Sequence, residues 1–215
     1  MTLVVTSSMS CSLSEAWHRC DCLGRLTYLA DSLVNEFKDL IFSLNKNKFK
    51  FTVIALQEVW SVPNGSTYNL DGYKPFHFTI RDMSGMSPNS GGGVGCFIDE
   101  NFEFEPLPQL SMFEKGVFES QFIKLKTSKT KFSIIGNIYR GNSYPLADIN
   151  KFNEILENLL TLIDSDPLLK KAEEVQIVGD HNIDLLKYKV HGHTATYVDN
   201  LLSHGVLPLI NYPTR

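Results

Sequence analysis

No stretch of the chain approaches the ~18 consecutive apolar residues that a membrane-spanning helix needs, so no membrane span is expected. Cysteine is scarce: Cys11, Cys20 and Cys22 lie near the N-terminus and Cys96 lies far from them. That spacing excludes the dense disulfide framework of a small secreted scaffold. His18, Cys20 and Cys22 lack the second Cys/His pair of a structural zinc site and read as ordinary side chains. The segment Met1 to Ser10 has neither the basic start nor the long apolar core of a secretion signal. An intracellular protein is expected, nuclear or cytoplasmic and not secreted. A basic excess is also missing, since 20 Lys and Arg stand against 24 Asp and Glu, a net charge of −4. This excludes a protein that coats nucleic acid through bulk charge. It leaves room for a nuclease with a small footprint whose metal ion supplies the local positive charge.

What is present is an ordinary globular composition, 43% apolar and 20% charged over 215 residues. The chain carries no internal repeat, low-complexity tract or interdomain linker, and residues 1–215 read as one domain. Apolar residues from Leu26 to Leu44 recur at steps of three and four, which predicts a helix over 24–44. Phe51 to Gln57 is a short, nearly continuous apolar run and predicts a strand buried on both faces. Residues 61–90 read as loop. A glycine-rich run then leads into a strand ending at Ile98. Phe118–Leu125 and Lys131–Tyr139, separated by a polar turn, predict a hairpin. Ala147–Ile163 predicts a second amphipathic helix, Val175–Val178 a further buried strand, and Ala195–Ser203 a last helix. Helices interleaved with buried strands favour a layered α/β fold.

Three strands end in polar residues, where an α/β fold places its chemistry. The first is followed by Glu58, a carboxylate able to ligate a divalent metal. Taken alone, it reads as a surface group at a strand end. The second ends in Asn137-Ile-Tyr-Arg140; Asn137 and Tyr139 should share one face, with Ile138 and Arg140 on the other. The Tyr139 hydroxyl could bond a phosphate oxygen, although a lone Tyr there more often packs amphipathically. The third runs Val178-Gly-Asp-His-Asn182. If extended, Asp180 and Asn182 project to one side, with His181 opposite. A carboxylate beside an amide can deprotonate a water while the amide holds a phosphate oxygen. The bland alternative is an Asx turn after the strand.

Several segments occur in one order: Leu56-Gln-Glu-Val-Trp60, Tyr68-Asn-Leu-Asp-Gly-Tyr73, Gly91-Gly-Gly-Val-Gly95, Glu119-Ser120, Ile138-Tyr-Arg140, Gly179-Asp-His-Asn-Ile-Asp-Leu-Leu186 and Pro213-Thr-Arg215. From about Phe51 to Arg215 the set resembles the endonuclease domain of non-LTR (LINE-type) retrotransposons. That domain belongs to the endonuclease/exonuclease/phosphatase family, with the apurinic-site endonucleases. The resemblance implies a two-layer β-sandwich flanked by helices, a four-layer α/β sandwich. It also implies hydrolysis of DNA phosphodiester bonds with Mg²⁺, or Mn²⁺ in its place. By the same resemblance Glu58 is the metal ligand, Tyr139 contacts the scissile phosphate, Asp180 activates the attacking water, and Asn182 orients phosphate or water. A reverse transcriptase of the parent element is the implied partner besides DNA. The glycine run is no P-loop, since no Gly-Lys-Ser/Thr follows, and it reads as tight strand packing.

Two departures stand out. The family opens with a strand followed by a metal-holding Asn, whereas Thr2–Ser8 is followed by no such Asn, and residues 1–23 look unlike the family. Beyond Pro-Thr-Arg the family has further strands and a Ser-Asp-His motif, whose His pairs with the phosphate. Neither that His nor its Asp partner is found here, and the last strands are expected to be missing. His191 and His193, in a polar loop, and His204, after a helix, match no family position. The expected function is therefore a retrotransposon-type endonuclease impaired in this chain. The alternative is an inactive remnant of the same fold, acting as a binding module or without function. A phosphatase acting on a lipid or small molecule fits the motif contexts least.

Overall fold

The computed structural model describes residues 2–5, 27–30, 51–59, 69–79, 92–141 and 146–208. The strands are β1 Thr2–Val5, β2 Thr27–Ala30, β3 Val53–Gln57, β4 His77–Phe78, β5 Val94–Ile98, β6 Phe104–Pro106, β7 Phe113–Glu114, β8 Phe118–Lys126, β9 Phe132–Tyr139, β10 Glu174–Gly179 and β11 Leu207–Pro208. The helices are α1 Leu146–Ser165 and α2 Gly192–Ser203.

The strands form two sheets. The larger runs β11-β1-β10-β9-β8-β6, with β7 on β8, and the smaller runs β2-β3-β5-β4. β8 and β9 make the predicted antiparallel hairpin. β10 returns parallel to β9, a connection too long for a tight turn, and α1 supplies the crossover.

Alternation along β9 sorts the layers. Ile134 and Ile138 face α1 and α2, in a core with Phe118, Phe122, Phe152, Leu156 and Tyr197. Ile135 faces the other way and packs with Ile123 and Leu125 against Val53, Cys96 and Ile98 of the smaller sheet. The mixed α/β character and the helix-flanked sheet therefore agree with the sequence reading. The space between the sheets changes along its length: Ile135 sits opposite Ile123, then Asn137 opposite Gln121, then Tyr139 opposite Glu119. It is apolar at one end and polar at the other.

Three predicted elements need correction. Thr27–Ala30, expected within a helix, is a strand parallel to β3. β3 is wholly buried, so its second edge must be paired, and Thr-Tyr-Leu-Ala suits a strand. Most of the remainder of 24–44 lies outside the described residues, as does the cluster His18, Cys20 and Cys22. Within the predicted loop 61–90, His77–Phe78 pairs with β5. α2 starts at Gly192, ahead of the predicted 195, with His191 as its extended N-cap.

His204, which matches no family position, joins the two helices. Its Nδ1 meets Asp164 Oδ2 at 2.5 Å and its Nε2 meets Glu157 Oε1 at 3.1 Å. Burial lowers its pKa, but these two carboxylates outweigh burial and raise it above the usual histidine value. A raised folded pKa means that the stabilisation is complete below ~6.5, the unfolded value, and is lost as pH rises through the folded one. Thermal melts of the wild type should therefore lose stability above about pH 6.5, and His204→Gln should flatten that slope. With Asp164 and Glu157 51% and 41% exposed, the effect is expected to stay below ~1 kcal/mol. Equal slopes for both proteins would refute the clamp.

Candidate functional site

The polar end of the inter-sheet space is built in layers. Deepest is an amide network, in which Gln57 Nε2 donates to Asn137 Oδ1 at 2.5 Å. Asn137 Nδ2 donates to the carbonyls of Leu56 and Gly95 at 3.0 and 3.1 Å, and Gln121 Nε2 to that of His77 at 2.9 Å. These bonds tie the two sheets together where apolar packing stops. Gly95 takes its place because the Phe76 ring lies over it; a Cβ there would stand 2.3 Å from Phe76 Cζ. Strand packing is thus the role of this glycine, as the sequence suggested.

One residue pair further out, the Tyr139 hydroxyl donates to Glu58 Oε1 at 2.7 Å. The two residues come from different sheets. Glu119, opposite Tyr139, accepts the Gly93 amide at 2.7 Å, and Gly93 in turn accepts the Val59 amide at 3.3 Å. Burial, then the bond and charge of Glu58, then the charges of Asp180 and Glu119 all raise the Tyr139 pKa. Its hydroxyl is held protonated, so it serves as a donor.

Asp180 and Asn182 do not follow the extended geometry that would align them. Asn182 has φ +49°, and its amide donates to Asp180 Oδ1 at 2.9 Å. This is the Asx turn, the alternative the sequence left open. The Asn182 side chain donates to the Arg140 carbonyl at 2.8 Å. The Arg140 amide donates to the Asp180 carbonyl at 2.9 Å. The structure therefore joins Glu58 to Tyr139, and Asp180 to Asn182. The second pair is hung on the end of β9, beside the first.

Two roles escaped the sequence reading. Arg140 is 2% exposed; its Nε donates to the His181 carbonyl at 2.6 Å and its Nη2 to that of Asn182. It clamps the turn that carries Asp180. Its sequence signal was only that Ile138 and Arg140 share the face away from Tyr139. The second is backbone strain. Among the described residues, the non-glycine positions with positive φ are Glu58, at +50°, and Asn182. Strained backbone concentrates where function over-determines it, and no sequence pattern announces it.

His181 points away from the rim. It is fully buried, with Nδ1 2.6 Å from the Tyr197 hydroxyl and its ring against Phe152. Burial, helped by the Arg140 charge, pushes its pKa down to about 3, so it is a neutral core side chain.

A divalent metal is implied by the resemblance, and Mg²⁺ takes carboxylate and phosphate oxygens in strict octahedral geometry. Here one oxygen each of Glu58, Asp180 and Glu119 is committed to a hydroxyl or an amide. Among the described residues no group of three His, Cys, Asp or Glu side chains is placed to hold a metal ion. Among the described residues the carboxylates do not make up a metal site by themselves.

No protein-family model and no curated protein matches the sequence. Solved structures do share the fold. An AP endonuclease from Archaeoglobus fulgidus is 16% identical at a TM-score of 0.52, over 82% of this chain and 69% of that one. The 3′ phosphatase NExo from Neisseria, bound to product DNA hairpin, is 13% identical at a TM-score of 0.52, over 83% and 69%. The 3′-5′ exonuclease NExo from Neisseria meningitidis gives 14% and 0.51, over 83% and 70%. These likenesses show a shared fold.

Proposed function

We propose that this chain keeps the fold and strand-end polar groups of a metal-dependent phosphodiesterase but acts as a binding module for phosphodiester ligands, without appreciable hydrolysis. The observation that carries this reading is the left-handed backbone of Glu58, a residue with no turn chemistry to favour it, at the rim it shares with Tyr139, Asp180 and Asn182. Strain kept at a site argues for a site in use, or lately in use. The commitment of the Glu58 and Asp180 oxygens argues against a metal-ready one. DNA is the proposed ligand, because the ordered motifs resemble the LINE-type branch. A reverse transcriptase of a parent element would then be the partner. The second reading, an active Mg²⁺-dependent endonuclease, is favoured by the proximity of Glu58 to Tyr139. There Glu58 would hold the metal, Tyr139 the phosphate and Asp180 the water, with Asn182 orienting either.

Incubation of the purified chain with supercoiled plasmid separates the two. We expect no nicking above background in Mg²⁺ or Mn²⁺. Loss of one electrostatic donor alone can cost ~10²–10³ in rate. Metal-dependent nicking that Asp180→Ala abolishes would overturn the proposal and establish the nuclease.

A further inference from the structure

Between the rim and α2 the chain makes an exposed ridge that the site itself does not use. Leu186, Tyr188 and Val190 are 59%, 42% and 75% exposed, with Lys187, Lys189 and His191 interleaved. Three exposed apolar side chains within five positions make this the stretch to test as an interaction surface. The ridge is firmly built. Asp184 Oδ1 accepts the Leu186 amide at 3.1 Å. The amides of Tyr188, Val190 and His191 donate to Leu185, Lys187 and Lys187 carbonyls at 3.2, 3.0 and 2.9 Å. Ile183, 6% exposed, roots it in the core. A fixed backbone lowers the ordering cost of binding.

The charge is local and positive. On a chain of net charge −4, residues 185–193 hold Lys187 and Lys189 and no acid. Lys187 is paired with Asp184 at 3.4 Å, both about half exposed, a contact of little worth. The His191 and His193 rings lie 5.2 Å apart at the start of α2. Leu186 lies four positions beyond Asn182, so the ridge continues directly from the rim.

We infer that the ridge Leu186–His193 docks single-stranded nucleic acid, with Tyr188 stacked on a base and the lysines and the start of α2 along the phosphates. Stacking side chains set in a basic surface are how unpaired strands are held. A duplex hides its bases, and the exposed apolar group would have no use on it. An anionic membrane would suit the same residue types, but the rim beside the ridge favours a phosphodiester strand. The inference rests on the proposed reading of that rim.

Fluorescence anisotropy of a labelled oligo-dT of about 20 nucleotides, with EDTA present, tests it. Tyr188→Ala should weaken binding about tenfold. Lys189→Ala should lower the salt slope by about 0.7, and Leu168→Ala, at a 70% exposed position ahead of β10, should change neither. Both ridge positions are exposed, and circular dichroism checks that the variants fold. Binding that both ridge variants leave intact overturns the ridge and spares the rim reading. No binding by the wild type at low salt sinks both. A wild type that prefers phosphatidylserine vesicles to the oligonucleotide makes the ridge a membrane contact and overturns the inference.

Discussion

Gly179→Ala should cost about 3 kcal/mol or more, a sizeable part of the 5–15 kcal/mol that holds a typical domain together. Gly179 ends β10 with φ +134°, a conformation that side chains rarely adopt. A Cβ built there would stand 1.8 Å from the Ile138 carbonyl oxygen and 2.7 and 2.9 Å from the Ile138 carbonyl carbon and amide nitrogen. All three are backbone atoms of the neighbouring strand and cannot swing aside. Relief requires β9 and β10 to part just where Tyr139, Arg140 and Asp180 are positioned. Urea denaturation gives the measurement, with Gly192→Ala as the control. Gly192 has nothing within 4 Å of such a Cβ, and Ala there should be neutral or gain up to ~1 kcal/mol. Equal midpoints for the two variants would contradict the close approach.

Tyr139→Phe should raise the affinity for Mn²⁺ about tenfold or more, read by the free-ion signal in electron paramagnetic resonance. The Tyr139 hydroxyl occupies Glu58 Oε1, and a hydrogen bond to a charged group is worth ~1.5–3 kcal/mol. A cation seeking that oxygen has to displace the hydroxyl. The phenyl ring keeps the packing of Tyr139, which is 6% exposed, and removes only the competitor. An unchanged or lower affinity would show that the tyrosine does not hold Glu58 closed. Glu58→Gln in the same titration should remove whatever affinity Tyr139→Phe gains.

The strands and helices with strong periodicity were legible in the residues. β3, β5, the β8–β9 hairpin, α1 and β10 fall where apolar runs and polar turns place them, because burial on one or two faces dictates those patterns. Thr27–Ala30 was misread because Leu26, Leu29 and Leu33 satisfy a helical period, while the deciding fact, the open edge of β3, lies in another part of the chain. The polar groups at the strand ends were legible as candidates, and Tyr139 was correctly assigned to the face of Asn137. Their bonding was not legible. Asp180 and Asn182 are two residues apart in either an extended strand or an Asx turn, and only the left-handed backbone at Asn182 decides between them. The Arg140 clamp also depends on tertiary contact, since its partners lie at positions 181 and 182.

The order of the larger sheet has a consequence for how the chain is made. Leu3 pairs with Ile177 and Val4 with Val178, so β1 leaves the ribosome 174 residues ahead of its partner strand. At ~5–20 residues per second, β1 stays unpaired for on the order of ten seconds or more. The β8–β9 hairpin closes over a five-residue turn and needs no such wait. Until β10 emerges, Thr2–Val5 is an apolar segment with open backbone groups, the kind of edge to which another nascent chain can add. Holding that segment apart during synthesis is a task the finished fold cannot perform for itself, and it falls to whatever meets that strand first.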